Sequence, residues 1–211
     1  MNTAVRCLHS GRKSSAALMF RASRPRNVIA CISLLFPFVL LAPGCFGQEA
    51  HPTEFQVESA YLYNFGKFVK WPAGRASPSD PLQICVLGQD PFGATLDSTV
   101  AGEKIDGRAV IVRRLSTMEN PSPCGILFIS SSEADRLDVV LAIAQRSESL
   151  TVSDIPRFAE RGGTIGFVIQ QGRIRFEVNR AAAAQSHLIL SSELLKVACR
   201  IINKTPQGSE R

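Results

Sequence analysis

Six short runs rich in aliphatic and β-branched residues recur between residues 82 and 179, each closed by turn-forming residues. No other feature limits the fold so strongly. The runs are LQICVLG (82–88), AVIVRRL (109–115), GILFISS (125–131), SLTVS (149–153), TIGFVIQ (164–170) and RIRFEVN (173–179). Runs of this length bounded by Gly, Pro, Asn, Asp or Ser read as strands. Only Gln171-Gly172 separates the last two, which reads as a hairpin. Helical segments fill the intervals. One spans 54–70. A second spans 90–100, with Asp90 placed to cap it. A third spans 132–146, with Ser132 and Asp135 arranged as a capping box. Segments around 155–161 and 180–198 complete the set. Strands alternating with helices imply an α/β fold: a single layered domain with a mostly parallel mixed sheet flanked by helices and a C-terminal β-hairpin. With no internal repeat, long linker or low-complexity tract, residues 48–211 form one domain, with a core at about 54–200.

The first helix carries AYLYNFGKFVKWP (60–72), five aromatics in thirteen positions. Apolar side chains at 55, 57, 61, 62, 65, 68 and 69 fall within about half the helix circumference. Ser59, Tyr63, Asn64, Gly66, Lys67 and Lys70 take the other half. The aromatics are therefore expected to build a core face, with Tyr63, Lys67 and Lys70 on the side open to a partner or a dimer mate. Two lysines are too few for a membrane-surface helix. Trp71-Pro72 ends the helix, and a Pro/Gly/Ser-rich loop follows.

Charge divides the chain sharply. Residues 1–47 hold six Arg or Lys and no Asp or Glu, leaving 18 basic against 18 acidic residues in the remainder. The formal net charge of +6 thus belongs to the leader, and nothing in the neutral body points to nucleic acid. Val28–Ala42 is an apolar run interrupted by Pro37 and preceded by arginines, which suits a signal peptide better than a membrane span of roughly 20 residues. Residues 1–47 read as that signal peptide, with cleavage after Gly47. LAPGC (41–45) also resembles a lipoprotein box, making lipid anchoring at Cys45 an alternative. An uncleaved anchor is a third alternative, and all three readings place residues 48–211 in the periplasm.

Export bears on the cysteines. Cys85, Cys124 and Cys199 remain outside the leader, and three thiols in an oxidising compartment allow one bridge and one leftover. Cys85 lies inside one expected strand and Cys124 just before another. Neighbouring strands can bring such a pair within bridging distance, and two buried free thiols are the other possibility. Cys199 is expected as an inert buried thiol on the apolar side of a terminal helix.

Catalytic patterns are sparse. His51 and His187 are the histidines outside the leader, and no GxSxG, CxxC, HxxxH or HExxH occurs, so no metal, cofactor or catalytic residue is assigned. GQDPFG (88–93) joins a strand to a helix, where α/β folds often bind anions, but it is neither a GxGxxG nor a P-loop. The serines of SSSE (130–133) are placed to cap the helix that follows. RIRFEVN alternates: Ile174, Phe176 and Val178 take one face, and Arg173, Arg175, Glu177 and Asn179 the other. That polar face is either solvated or a binding surface.

Taken in order, these motifs resemble the YfiR family across residues 54–200. The resemblance rests on AYLYNFGKFVKWP, LQICVLGQDPFG, GRAVIVRRL, CGILFIS, LTVSDIPRFAERGGTIGFV, RIRFEVN and LILSSELLKVA. It implies a non-enzymatic periplasmic α/β regulator, able to form a homodimer. Such a protein binds the periplasmic region of a membrane diguanylate cyclase, or of another membrane sensor, and represses it. It also implies a disulfide between Cys85 and Cys124, and a partner-binding role for Arg175, Glu177 and Asn179. The second bridge of some members, after LTVSD, has no cysteine here. The competing expectation is a small-molecule-binding sensory module that serves a histidine kinase or a transporter.

Overall fold

A computed structural model describes residues 52–74, 77, 79–118 and 123–204. The signal-peptide reading of residues 1–47, the lipoprotein reading of Cys45, and His51 lie outside the described residues. The chain runs α1 (Glu54–Phe68), β1 (Val69–Lys70), β2 (Leu82–Leu87), α2 (Ala94–Val100), β3 (Lys104–Ile105), β4 (Arg108–Leu115) and β5 (Ile126–Ile129). A 3-10 turn (Ser131–Arg136) leads into α3 (Leu137–Arg146). Then come β6 (Leu150–Ser153), β7 (Ile165–Gln170), β8 (Arg173–Asn179), α4 (Arg180–Gln185), β9 (Ile189–Leu190), α5 (Ser192–Val197) and β10 (Arg200–Ile202).

Eight strands form one sheet in the order β10-β8-β7-β6-β5-β2-β4-β3, and β1 pairs with β9 in a separate ribbon. Neighbours from β7 through β6, β5 and β2 to β4 are parallel, whereas β7–β8 and β3–β4 are antiparallel. The expected mostly parallel mixed sheet and the terminal hairpin are both present. Each central strand is buried on both faces, as a parallel sheet covered by helices requires. Ile84 and Val86 of β2, with Ile126 and Phe128 of β5, pack beneath α1 and α2. Cys85, Leu87, Leu127 and Ile129 alternate with them and pack beneath α3. The polar residues of SLTVS are buried because each finds a partner: Ser149 Oγ donates to Cys124 O, Ser153 Oγ to Ile129 O, and Thr151 Oγ1 bonds Thr164 Oγ1.

Several local expectations need correction. α1 stops at Phe68, because Val69 and Lys70 are drawn into the ribbon with β9. Its start is a capping box: Thr53 Oγ1 accepts from Gln56 N, and the Gln56 side chain accepts from Thr53 N. Its buried arc is also rotated from the expected one. Glu58, Ser59, Leu62, Tyr63, Phe65 and Gly66 face inward, while Phe55 and Phe68 are 42% and 38% exposed. Small side chains at 59 and 66, two turns apart, let the helix approach the sheet, and of the aromatics Phe65 and Tyr63 stay inward while Phe55 and Phe68 fall toward solvent. Tyr63, expected on the open side, is buried and donates its hydroxyl to Glu103, with Lys67 Nζ 4.1 Å above its ring.

α2 begins at Ala94 rather than Asp90. Asp90 Oδ1 instead accepts from Phe92 N, forming an Asx turn before the helix. Ser130, not Ser132, caps the 3-10 turn that replaces the first half of the expected 132–146 helix. Residues 155–161 are turns, not helix: Pro156 lacks a donor and Arg157 sits at φ 59°. The 180–198 segment divides into α4, β9 and α5. Strands β3 and β10 had no counterpart among the expected runs.

Candidate functional site: the terminal hairpin and its groove

The β7–β8 hairpin turns through Gln171 and Gly172 at φ 53° and 70°, the left-handed pair that a two-residue hairpin of this twist needs. Its register sets Phe167 opposite Phe176, Val168 opposite Arg175, and Gln170 opposite Arg173. One face is clamped by α1. The rings of Phe65 and Tyr61 lie 5.0 and 5.4 Å from that of Phe176, and both also contact Phe167. Edge-to-face packing of this kind holds the hairpin rigidly to the helix.

The residues expected to form a partner surface divide into three environments. Arg175, with Arg173 beside it, is exposed and has no carboxylate partner among the described residues. Glu177 is taken by the chain itself: Arg200 of β10 grips both its oxygens, and also reaches Glu160, which pairs with Arg157. Asn179 is fully buried. Its Nδ2 donates to Ala159 O and Lys204 O, and its Oδ1 accepts from Ala181 N and Ala182 N, capping α4. The hairpin therefore presents a cationic face through Arg173 and Arg175, an engaged acid at 177, and a structural latch at 179.

A groove of about 680 Å³ lies between the start of α1 and the hairpin. It is lined by Pro52, Glu54, Val57 and Tyr61 on one side, and by Ile169, Gly172, Arg173, Ile174 and Arg175 on the other. Ile169 is 66% exposed there. Apolar contact area flanked by unpaired guanidinium groups has the composition of an interface centre, where Arg and aromatics are enriched.

The sequence reading missed a second polar centre. Glu58, on α1, is buried, and Asp154, just after β6, is half-buried. One oxygen of each, Glu58 Oε2 and Asp154 Oδ1, is buried with no hydrogen-bond donor. Burial, then the negative charges of Asp154 and Glu54, push Glu58 up to about 8; burial also raises Asp154. No local pattern sets Glu58 apart, because Glu54, Gln56 and Ser59 beside it make this part of the helix read as polar.

The other candidates resolve into structure. Cys85 and Cys124 form a disulfide with a Cα–Cα distance of 5.7 Å, beneath α3. Gly88, at φ 87°, starts the 88–93 loop, and a Cβ there would lie 2.4 Å from Ser132 Oγ. Gln89 N donates to that same hydroxyl. Arg114 closes the far side by donating to Asp90, Asp97 and Gly93 O. The 88–93 loop is thus a strand–helix turn fastened by the chain's own side chains. His187 is exposed beside Glu148. Cys199 is exposed rather than buried, and it lies between α5 and β10 rather than on a helix; its Sγ donates to Phe176 O at 3.1 Å. Among the described residues, no group of three His, Cys, Asp or Glu is placed to hold a metal ion, and no helix is long and apolar enough to cross a membrane.

Comparison with known proteins adds one decisive match. The model of a family described as YfiR/HmsC-like matches residues 55–199. No curated protein matches. Solved structures include a conserved domain protein from Vibrio cholerae, at 11% identity and TM-score 0.47, covering 71% of this chain and 60% of that one. Another is an ABC domain from Streptococcus pneumoniae in complex with L-Trp, at 14% identity and TM-score 0.42, covering 57% and 55%. The chain thus spans less than two thirds of either, and neither similarity is strong enough to carry an argument.

Proposed function

The chain belongs to the YfiR/HmsC-like family, and from that premise we propose that it is a periplasmic, non-enzymatic regulator that binds and represses an inner-membrane diguanylate cyclase, lowering cyclic di-GMP signalling. The observation that carries this reading is the hairpin surface. Arg173 and Arg175 form no ion pair among the described residues and flank a partly apolar groove, on a hairpin packed against α1 and paired with β10. Rigid, partly apolar surfaces with unpaired arginines suit protein recognition, because little ordering entropy is lost on docking.

The decisive experiment measures intracellular cyclic di-GMP in the native host with and without the gene. A rise on deletion, reversed by complementation, supports repression. An unchanged level overturns it.

The volume of the groove supports a second reading, a small-molecule-binding sensory module serving a histidine kinase or transporter, because ligand clefts have volumes of about 300–1,000 Å³. A ligand that binds the native state raises Tm in a metabolite screen. A screen without a hit counts against this alternative.

A further inference from the structure

Glu58, buried near the start of α1, and Asp154, half-buried after β6, each bury an oxygen that no cation among the described residues answers. Glu58 is 2% exposed, with Oε2 unpartnered, and Asp154 buries Oδ1 in the same state. The charges acting on Glu58 are Asp154, from the loop after β6, and Glu54, one turn earlier on α1; both are negative. The elements packed against α1 supply no compensation. Asp97 of α2 is held by Arg114, Glu193 and Lys196 of α5 are exposed, and on β8 Arg173 and Arg175 are exposed while Glu177 is held by Arg200. Lys67, two turns along α1, lies over the Tyr63 ring. A carboxylate removed from water and denied a counter-charge holds a proton instead. With no metal-ligating set among the described residues, the positive charge that fits here is a proton.

We propose that Glu58 and Asp154 form a proton-binding site, with Glu58 holding the proton at neutral pH, and that its release to water loosens the first turns of α1 and reshapes the groove between α1 and the hairpin. The link to the groove is geometric: Glu54, Val57 and Tyr61, which line it, lie within about one helical turn of Glu58 on the same helix. On deprotonation, a new buried negative charge faces Asp154 and Glu54, and the strain is relieved by moving the helix start toward water. The sign follows from linkage. The ordinary value of 4.5 is raised to about 8 in the folded domain, so folded protein binds a proton that unfolded chain has released. The stability due to this group is complete below about pH 4.5 and is lost as pH rises toward 8.

The test is carbon-13 NMR of the glutamate carboxyl groups in the purified protein, together with hydrogen exchange of the α1 amides corrected for intrinsic rates. Wild type is compared with Glu58→Gln and Asp154→Asn. One glutamate carboxyl should titrate far above the others, disappear in Glu58→Gln, and shift downward in Asp154→Asn. Protection of residues 54–61 should fall by up to about tenfold per pH unit between 5 and 8 in wild type, and stay level in Glu58→Gln. Absence of a high-titrating glutamate overturns the proton site. A Glu58→Gln protein that keeps the wild-type pH dependence overturns the coupling to α1. Neither readout involves the cyclase, so this inference and the proposed repression stand or fall separately.

Discussion

Arg200 holds Glu177 by two hydrogen bonds, 2.7 Å from Nε and 2.9 Å from Nη2, joining the last strand to the terminal hairpin. Because the pair crosses from β10 to β8, it couples β10 to the strand that carries Arg173 and Arg175. Exposed ion pairs contribute little to global stability, and bidentate ones mainly order their surroundings. Arg200→Ala should therefore leave Tm nearly unchanged but speed hydrogen exchange at residues 200–202. Unaltered exchange in β10 would show that its backbone pairing alone fixes the strand.

Asn179 should matter far more than its neighbours. Replacing it with alanine strands the buried Ala159 O and uncaps α4 at a position where Asn179 is itself fully buried. Loss of a cap and of buried hydrogen bonds costs about 2–4 kcal/mol. Urea denaturation of Asn179→Ala measures this directly, and a loss below about 0.5 kcal/mol would contradict the latch.

The disulfide closes a loop of 39 residues between two strands of one core. Cys85→Ser should lower stability by about 2–4 kcal/mol. Reductant should reproduce that loss in wild type and do nothing further to the variant. Equal midpoints for all samples would rule out a stabilising bridge.

Reversing the cationic face gives the sharpest functional variant. Arg173→Glu with Arg175→Glu alters exposed side chains only, so the fold and Tm should persist. In the host, cyclic di-GMP should rise as it does on deletion of the gene. A folded double variant that still restores the low level would remove this surface from the repression model.

How much of this was legible depends on how far apart the interacting residues are. The strands of the central sheet follow from short β-branched runs, and the hairpin from Gln171-Gly172, because both signals are local. β3 and β10 carry no such signal. They are two and three residues long, and become strands only because β4 and β8 offer them an edge. The inward turn of Asn179 was hidden for a related reason. Strict alternation groups it with Arg173, Arg175 and Glu177, but the chain leaves the strand there, and the same residue becomes the cap of α4.

The sequence by itself determined the α/β class, the parallel core and the terminal hairpin, because hydrophobic periodicity and turn chemistry act over a few residues. Tertiary structure decided which face of α1 is buried, that Glu177 is engaged while Arg175 is open, and that Glu58 and Asp154 each bury an oxygen with no partner among the described residues. Those outcomes depend on pairings between residues 20 to 100 positions apart, and no local pattern specifies which distant charge or cavity a side chain will meet.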